Sequence, residues 1–166
     1  LDFFAKFAAA SPGFYPHAAS SLNRAANQAL AQKYLAQEAV QNTATPLFSD
    51  KRPDNALYLG LIKTVFPTAK IIHTKRSALD NYLSIYFTQF GDGQAYARNL
   101  SDIQHYHQQH KRLMEHWRVC FGSDIHDVHY DTCVAQPEET IKALLTFLAV
   151  HSWASSCRIK PFPHTD

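Results

Sequence analysis

The sequence predicts an α/β protein in which helices cover both faces of a parallel sheet, a three-layer architecture. Short β-branched or alternating segments are separated by segments whose apolar residues recur at spacings of three and four. Strands that alternate with helices in this way form parallel sheets through crossover connections. Such sheets bind ligands at the carboxyl ends of their strands, so chemistry is expected at that edge.

Three segments have the patterns of strands. Residues 46–49 form a short run before a polar loop, residues 70–74 are compact and β-branched, and residues 124–130 alternate between apolar and polar. The central run is expected to be buried on both sides, as parallel strands usually are. Its His73 is then expected to be a hydrogen-bonded core residue.

Five segments have helical spacing. They cover residues 20–41, 54–66, 77–90, 101–121 and a last stretch that begins at Pro137. Ser20, Asp54 and Ser77 are expected to cap the first three, and proline suits the first turn of the last. The opening residues 1–16 are aromatic and contain Pro12-Gly13 and Pro16, so they are expected to be irregular.

Composition limits the class of protein. A length of 166 residues suits a single domain spanning 1–166, and a net charge of +2 is too small to indicate nucleic acid or an anionic membrane as a partner. No apolar run approaches the roughly 18–20 residues of a membrane helix. Cys120, Cys133 and Cys157 form no CxxC pair, which favours free thiols and a cytoplasmic location.

The strongest local signal is Arg76 at the end of the second strand, with Ser84 eight positions later in the next helix. A helix amino terminus favours an anion, and an arginine offers paired donors that match phosphate oxygens. A serine hydroxyl can add another donor. From these residues alone an alternative stays open, in which Arg76 forms a surface ion pair and Ser84 is an ordinary helix residue.

The segment 71–87 resembles the 3'-phosphate-binding segment of the sulfotransferase family. The resemblance implies that Arg76 and Ser84 hold the 3'-phosphate of 3'-phosphoadenosine-5'-phosphosulfate (PAPS). Lys75 stands where bacterial members usually have arginine, and Ser77-Ala78 stands where they often have Asp-Pro. Neither difference affects the Arg76–Ser84 pair.

Two more stretches resemble the same family in the same order. Residues 48–55, followed by 59–62 and 66–67, are similar to the Lys-x-Pro loop and helix of tyrosylprotein and bacterial sulfotransferases. That similarity implies that Lys51 approaches the transferring sulfuryl group and is catalytic. Residues 125–130 resemble the strand whose tyrosine lies near the adenosine, which implies that Tyr130 is a cofactor-binding residue. From the residue alone, a core tyrosine with a hydrogen-bonded hydroxyl stays open as an alternative. The resemblance extends over roughly residues 46–153.

The resemblance implies a P-loop NTPase-like sulfotransferase fold and an enzyme that moves a sulfuryl group from PAPS to a hydroxyl or amine without a metal. The acceptor is a peptide tyrosine, a carbohydrate or a small molecule. The chain contains no Arg-Ser-Gly-Thr-like loop for the 5'-phosphosulfate, so it is expected to be an internal fragment, incomplete at both ends and inactive alone. Two alternatives stay open: a small-molecule kinase of similar architecture and a non-catalytic nucleotide-binding module.

Histidines and aromatic residues offer weaker signals. Four histidines share the predicted helix 101–121, but no carboxylate or cysteine completes a recognisable metal-ligand set, so no metal site is predicted. The aromatic residues between 82 and 96 are expected to lie mostly in the core. Tyr86 or Tyr96 is a candidate for the wall of an acceptor pocket.

Overall fold

The protein, a computed structural model, is described over residues 3–11, 15–20, 22–39, 48–88, 90 and 92–150. Its α-helices in these ranges are α1 (Phe3–Ala10), α2 (His17–Ser20), α3 (Arg24–Ala39), α4 (Leu59–Val65), α5 (Ala78–Phe87), α6 (Leu100–Phe121), α7 (Tyr130–Ala135) and α8 (Pro137–Phe147). Three further stretches are 3₁₀-helices: Pro53–Tyr58, Asp92–Arg98 and Gly122–Asp124. No helix in the described ranges is long and apolar enough to span a bilayer.

The sheet in the described ranges has two parallel strands, β1 (Ile71–Lys75) and β2 (Ile125–His129). Both agree with the predicted segments to within one residue at either end. The predicted strand at 46–49 is not seen: residues 46 and 47 lie outside the described residues, and Phe48 and Ser49 belong to no strand. The structure is therefore helix-rich with a small parallel sheet, compatible with an α/β fold, and does not establish a three-layer sheet.

The two faces of this sheet contact different helices. Pairing of His73 with Asp127 and of Ile72 with His126 assigns alternate residues to opposite faces. Arg118 of α6 bonds to Asp127, whereas the His126 ring stacks on Phe147 of α8 at 5.0 Å. The prediction that β1 is buried on both sides is wrong, because Ile72 is 43% exposed on the α8 side.

The main core cluster lies between the amino-terminal helices and α4. Its buried members are Phe3, Phe4, Leu30, Tyr34, Leu61 and Val65. The prediction that residues 1–16 are irregular is therefore wrong for α1. The Phe3 and Phe4 rings lie 5.1 and 5.2 Å from that of Tyr34, and burial of such rings stabilises a helix that its flanking prolines and glycine did not suggest.

Within the described residues, none of the three predicted capping residues is seen to cap its helix with a side-chain hydrogen bond. Ser20 belongs to the preceding helix α2, and Asn23 accepts a hydrogen bond from the Ala26 amide at the start of α3. The helical stretch after the loop begins at Pro53, ahead of Asp54, because proline suits a first helical turn. Ser77 occupies the cap position of α5, but its side chain makes no capping bond.

The aromatic residues after β1 do not form a core, contrary to the prediction. Tyr82 is half-buried and contacts His107 of α6, with 3.1 Å between Tyr82 Oη and His107 Nδ1. Tyr86, Phe90 and above all Phe87, at 76% exposure, remain accessible. Only one side of α5 packs on α6, so residues on its other side keep their solvent contact.

Asp124, just before β2, joins three segments at the amino end of the sheet. Lys63 of α4 and Lys70, just before β1, each donate to a different carboxylate oxygen of Asp124 at 2.8 Å. These hydrogen bonds lower the pKa of Asp124 to about 2. The end of α4 and the starts of both strands are thereby held together.

This carboxylate predicts an acid-dependent loss of stability. The folded pKa of about 2 lies below the usual value of about 3.9, so below about pH 4 the unfolded chain takes up the proton first. The stabilisation of the fold by ionised Asp124 is therefore complete above about pH 4, and it disappears as the pH falls through the folded pKa. Thermal unfolding midpoints measured from pH 5 to pH 2 should fall less steeply for Asp124→Asn than for the unmodified protein. Equal slopes would contradict the assignment.

Candidate functional site

Arg76 and Tyr130 meet at the carboxyl edge of the sheet. Lys75 and His129 are the last paired residues of β1 and β2, so the residue after each strand leaves the sheet at the same level. The guanidinium carbon of Arg76 lies 5.1 Å from the centre of the Tyr130 ring, a cation–π contact. Within the described residues Arg76 has no carboxylate partner. The alternative in which it forms a surface ion pair therefore finds no support there.

Ser84 lies on the second turn of α5 and is exposed. Its carbonyl accepts the Thr88 hydroxyl at 2.6 Å, but its own hydroxyl has no hydrogen-bond partner among the described residues. No hydrogen bond joins Ser84 to Arg76 within the described ranges. The structure thus brings Arg76 to Tyr130 and leaves the Ser84 hydroxyl available on the helix that Arg76 precedes.

The loop that carries Lys51 is fixed on both sides of that residue. Asp50 accepts a hydrogen bond from the Tyr34 hydroxyl at 2.9 Å. Arg52 donates twice to Asp54, at 2.7 and 2.9 Å, and these bonds lower the pKa of Asp54. Lys51 is exposed and has no ion-pair partner within the described ranges. A free cation is therefore presented on an anchored backbone.

The stretch that follows this loop packs against α6. Trp117 donates to the Ala56 carbonyl at 2.8 Å, and a Cβ on Gly60 would lie only 2.9 Å from the Trp117 ring. Only glycine permits this approach. The residues that follow the loop are therefore held against the last turns of α6.

A charged cluster beneath this edge was not predicted from the sequence. The Asp127 carboxylate on β2 accepts hydrogen bonds from Lys75 of β1 at 2.6 Å and from Arg118 of α6 at 2.6 Å. The His73 Nδ1 lies 2.9 Å from Asp127 and 3.0 Å from Arg118, so the tautomer decides which of the two it bonds. An aspartate in the middle of the strand segment 124–130 was the only available signal.

The ionisation of this cluster follows from its hydrogen bonds. Partial burial would raise the pKa of Asp127, but bonds from Lys75, Arg118 and His73 outweigh it and hold the pKa well below its usual range. Burial lowers the pKa of His73. Burial also lowers the pKa of His110, and the nearby His73 ring, 5.4 Å away, lowers it further. Both histidines are therefore neutral near pH 7, and Asp127 joins both strands to α6 as an anion.

These histidines do not form a metal site with acidic or cysteine neighbours. Nowhere in the described ranges do three or more histidine, cysteine, aspartate or glutamate side chains converge as a metal would require. Cys120 and Cys133 are free thiols, and Cys157 lies outside the described residues.

A groove of about 490 Å³ opens beside the amino-terminal half of α6. The Tyr96 and Tyr106 rings stack at 4.1 Å along one wall, and Asp102, His105 and Gln109 add polar groups. Burial raises the pKa of Tyr106, with smaller contributions from Tyr96 and from the negative charge of Asp54. Of the two aromatic residues predicted to wall an acceptor pocket, Tyr96 lines this groove.

The chain is similar in sequence to known proteins over most of its length. A sequence model described as "Sulfotransferase family" matches residues 5–155. A protein of Aquifex aeolicus (strain VF5), named "Uncharacterized protein", is 35% identical over 139 residues, which are 82% of this chain and 18% of that protein. The chain thus spans less than a fifth of that relative's length. No solved structure matches the chain significantly. Because the family match covers most of the chain and all three motif segments, the chain belongs to the sulfotransferase family.

Proposed function

We propose that the protein transfers a sulfuryl group from PAPS to a hydroxyl or amine acceptor. The observation that carries this proposal is the Arg76 guanidinium, which lies at the carboxyl edge of a parallel sheet, before a helix, without a carboxylate partner in the described ranges. An anion is favoured at such a position, and an unpaired arginine fork suits a phosphate. The family match favours this reaction over a kinase or a non-catalytic module.

The nucleotide is held through the group that distinguishes PAPS from ATP. Arg76 donates to the 3'-phosphate, and the exposed Ser84 hydroxyl adds a further donor from α5. Tyr130, across the sheet edge from Arg76, lies next to the adenosine. The cationic side chains of Arg76 and Lys51 supply the positive charge in this proposal, and no resident metal is included.

PAPS supplies the sulfuryl group and leaves as adenosine 3',5'-bisphosphate. A bond forms between the acceptor oxygen or nitrogen and sulfur, while the bond from sulfur to the 5'-phosphate oxygen breaks and its electron pair stays on that oxygen. Lys51 offsets this developing negative charge, and the contacts of Asp50 and Arg52 hold the backbone that carries it. The acceptor's proton passes to a base that the three motif segments do not include.

The acceptor is proposed to be a peptide tyrosine, a carbohydrate or a small molecule. Its proposed position is the groove lined by Tyr96 and Tyr106. Stacked aromatic rings with a few polar groups are typical of sites that bind organic ligands.

Substitution of Arg76 by alanine tests the nucleotide assignment. The change should weaken binding of adenosine 3',5'-bisphosphate by about 10- to 100-fold, since charge-assisted hydrogen bonds contribute about 1.5–3 kcal/mol. Binding of AMP, which lacks the 3'-phosphate, should change less than about twofold. Isothermal titration calorimetry with both nucleotides measures the two affinities. The exposed Arg112 on α6 provides the control Arg112→Ala, and equal losses for the two nucleotides would contradict the proposal.

A further inference from the structure

We propose that Tyr130 is a positioning residue that holds the Arg76 guanidinium for the 3'-phosphate through the face of its ring. This inference rests on the proposed function and deepens it. It assigns the discrimination between nucleotides with and without a 3'-phosphate to two residues, each of which directly follows one of the two strands. The family resemblance suggests only that Tyr130 lies near the adenosine.

The geometry of the pair supports this role. Arg76 and Tyr130 each follow the last paired residue of a strand, so their backbones are held by the register of β1 on β2. The guanidinium carbon lies 5.1 Å from the ring centre, within the distance at which a cation is attracted to an aromatic face. Tyr130 is 53% exposed, so few other contacts compete for its ring.

A ring is a suitable support for an arginine that must bind an anion. The donors of a guanidinium lie in its plane, so an aromatic face can hold the group without occupying the N–H groups that a phosphate requires. A carboxylate partner would occupy those donors and offset the charge. Neighbouring cations show this contrast, because Lys75 and Arg118 both bond to Asp127 whereas Arg76 contacts Tyr130.

The proposed contact depends on the ring and not on the hydroxyl. Phenylalanine keeps an aromatic face, whereas leucine keeps apolar bulk and removes the electrostatic attraction. Tyr130→Phe should therefore retain the preference for a 3'-phosphate, and Tyr130→Leu should reduce it. An exposed cation–π contact of ordinary strength corresponds to a change of about two- to fivefold.

The experiment compares Tyr130→Phe and Tyr130→Leu in the full-length protein. Affinities for adenosine 3',5'-bisphosphate and for AMP are measured by calorimetry, and their ratio is the selectivity. We expect Tyr130→Leu to lower this ratio two- to fivefold and Tyr130→Phe to leave it unchanged. In the double variant with Arg76→Ala, the leucine substitution should have no further effect on the ratio.

Other outcomes would overturn the inference. Equal loss in both single variants would assign the role to the hydroxyl, and an equal loss for both nucleotides in Tyr130→Leu would indicate an adenosine contact. A normal ratio in Tyr130→Leu, with a reduced ratio in Arg76→Ala, would remove this inference and leave the proposed function intact. A normal ratio in Arg76→Ala would contradict the proposed 3'-phosphate site itself.

Discussion

Replacement of Lys51 by alanine is expected to lower the turnover number of the full-length protein by about 10²–10³-fold. The reason is that Lys51 is proposed to offset negative charge that develops on the leaving phosphate oxygen only as the reaction proceeds. Its loop is anchored by the Tyr34–Asp50 and Arg52–Asp54 contacts, which do not involve the Lys51 side chain. The substitution should therefore affect the reaction without disturbing the fold.

The measurement is steady-state sulfuryl transfer from labelled PAPS, together with the affinity for adenosine 3',5'-bisphosphate. This affinity should change less than about threefold, because the 3'-phosphate is assigned to Arg76 and Ser84. Lys51→Arg should retain more activity than Lys51→Ala, since it keeps the charge. Lys33→Ala, at an exposed lysine of α3, is the matched control. An unchanged turnover number in Lys51→Ala would remove Lys51 from the catalytic residues.

Replacement of Lys63 by alanine is expected to lower the free energy of unfolding by about 3 kcal/mol. The Lys63 side chain is only 5% exposed, and its ammonium group donates to Asp124 and to the carbonyls of Pro67 and Ala69. Without the Lys63 ammonium group, two carbonyls in the turn between α4 and β1 lose their hydrogen-bond donor. Asp124 then keeps one of its two lysine donors, Lys70. The apolar stem of the lysine is lost as well.

Chemical and thermal unfolding of three variants separate these contributions. For a chain of this length, 3 kcal/mol corresponds to a lower unfolding midpoint by about 6–12 °C. Lys63→Met keeps the apolar stem and removes the donors. The stability lost in Lys63→Met therefore measures the hydrogen bonds, and the additional loss in Lys63→Ala measures the stem. Lys111→Ala, at an exposed lysine of α6, should change stability by less than about 0.5 kcal/mol. A similar small effect of Lys63→Ala would show that the buried bonds contribute little.

Local patterns were sufficient for the elements with strong periodicity. The prediction for helix 101–121 differs from α6 by one residue at its start, and β1 and β2 were predicted to within one residue. The order strand, arginine, helix and serine was also readable, because the residues involved lie within a single short segment. A helix start depends on a single side-chain bond, so the caps at Ser20, Asp54 and Ser77 were less predictable.

Contacts between distant parts of the chain were not readable in this way. The α1 helix is stabilised by Tyr34 of α3, and the exposure of Phe87 depends on which side of α5 meets α6. In the Asp127 cluster, Lys75 comes from β1 and Arg118 from α6. Hydrophobic spacing reports only that a residue faces a core, and it does not identify the partner on another element.

The candidate site shows the same division. The residue types Lys51, Arg76, Ser84 and Tyr130, and their motif spacing, follow from the sequence and from its resemblance to the sulfotransferase family. That Arg76 contacts a ring, while Lys75 beside it bonds to a carboxylate, follows from the parallel register of β1 and β2. The reason is that strand register brings together residues about 50 positions apart, and no local pattern encodes which face or edge they share.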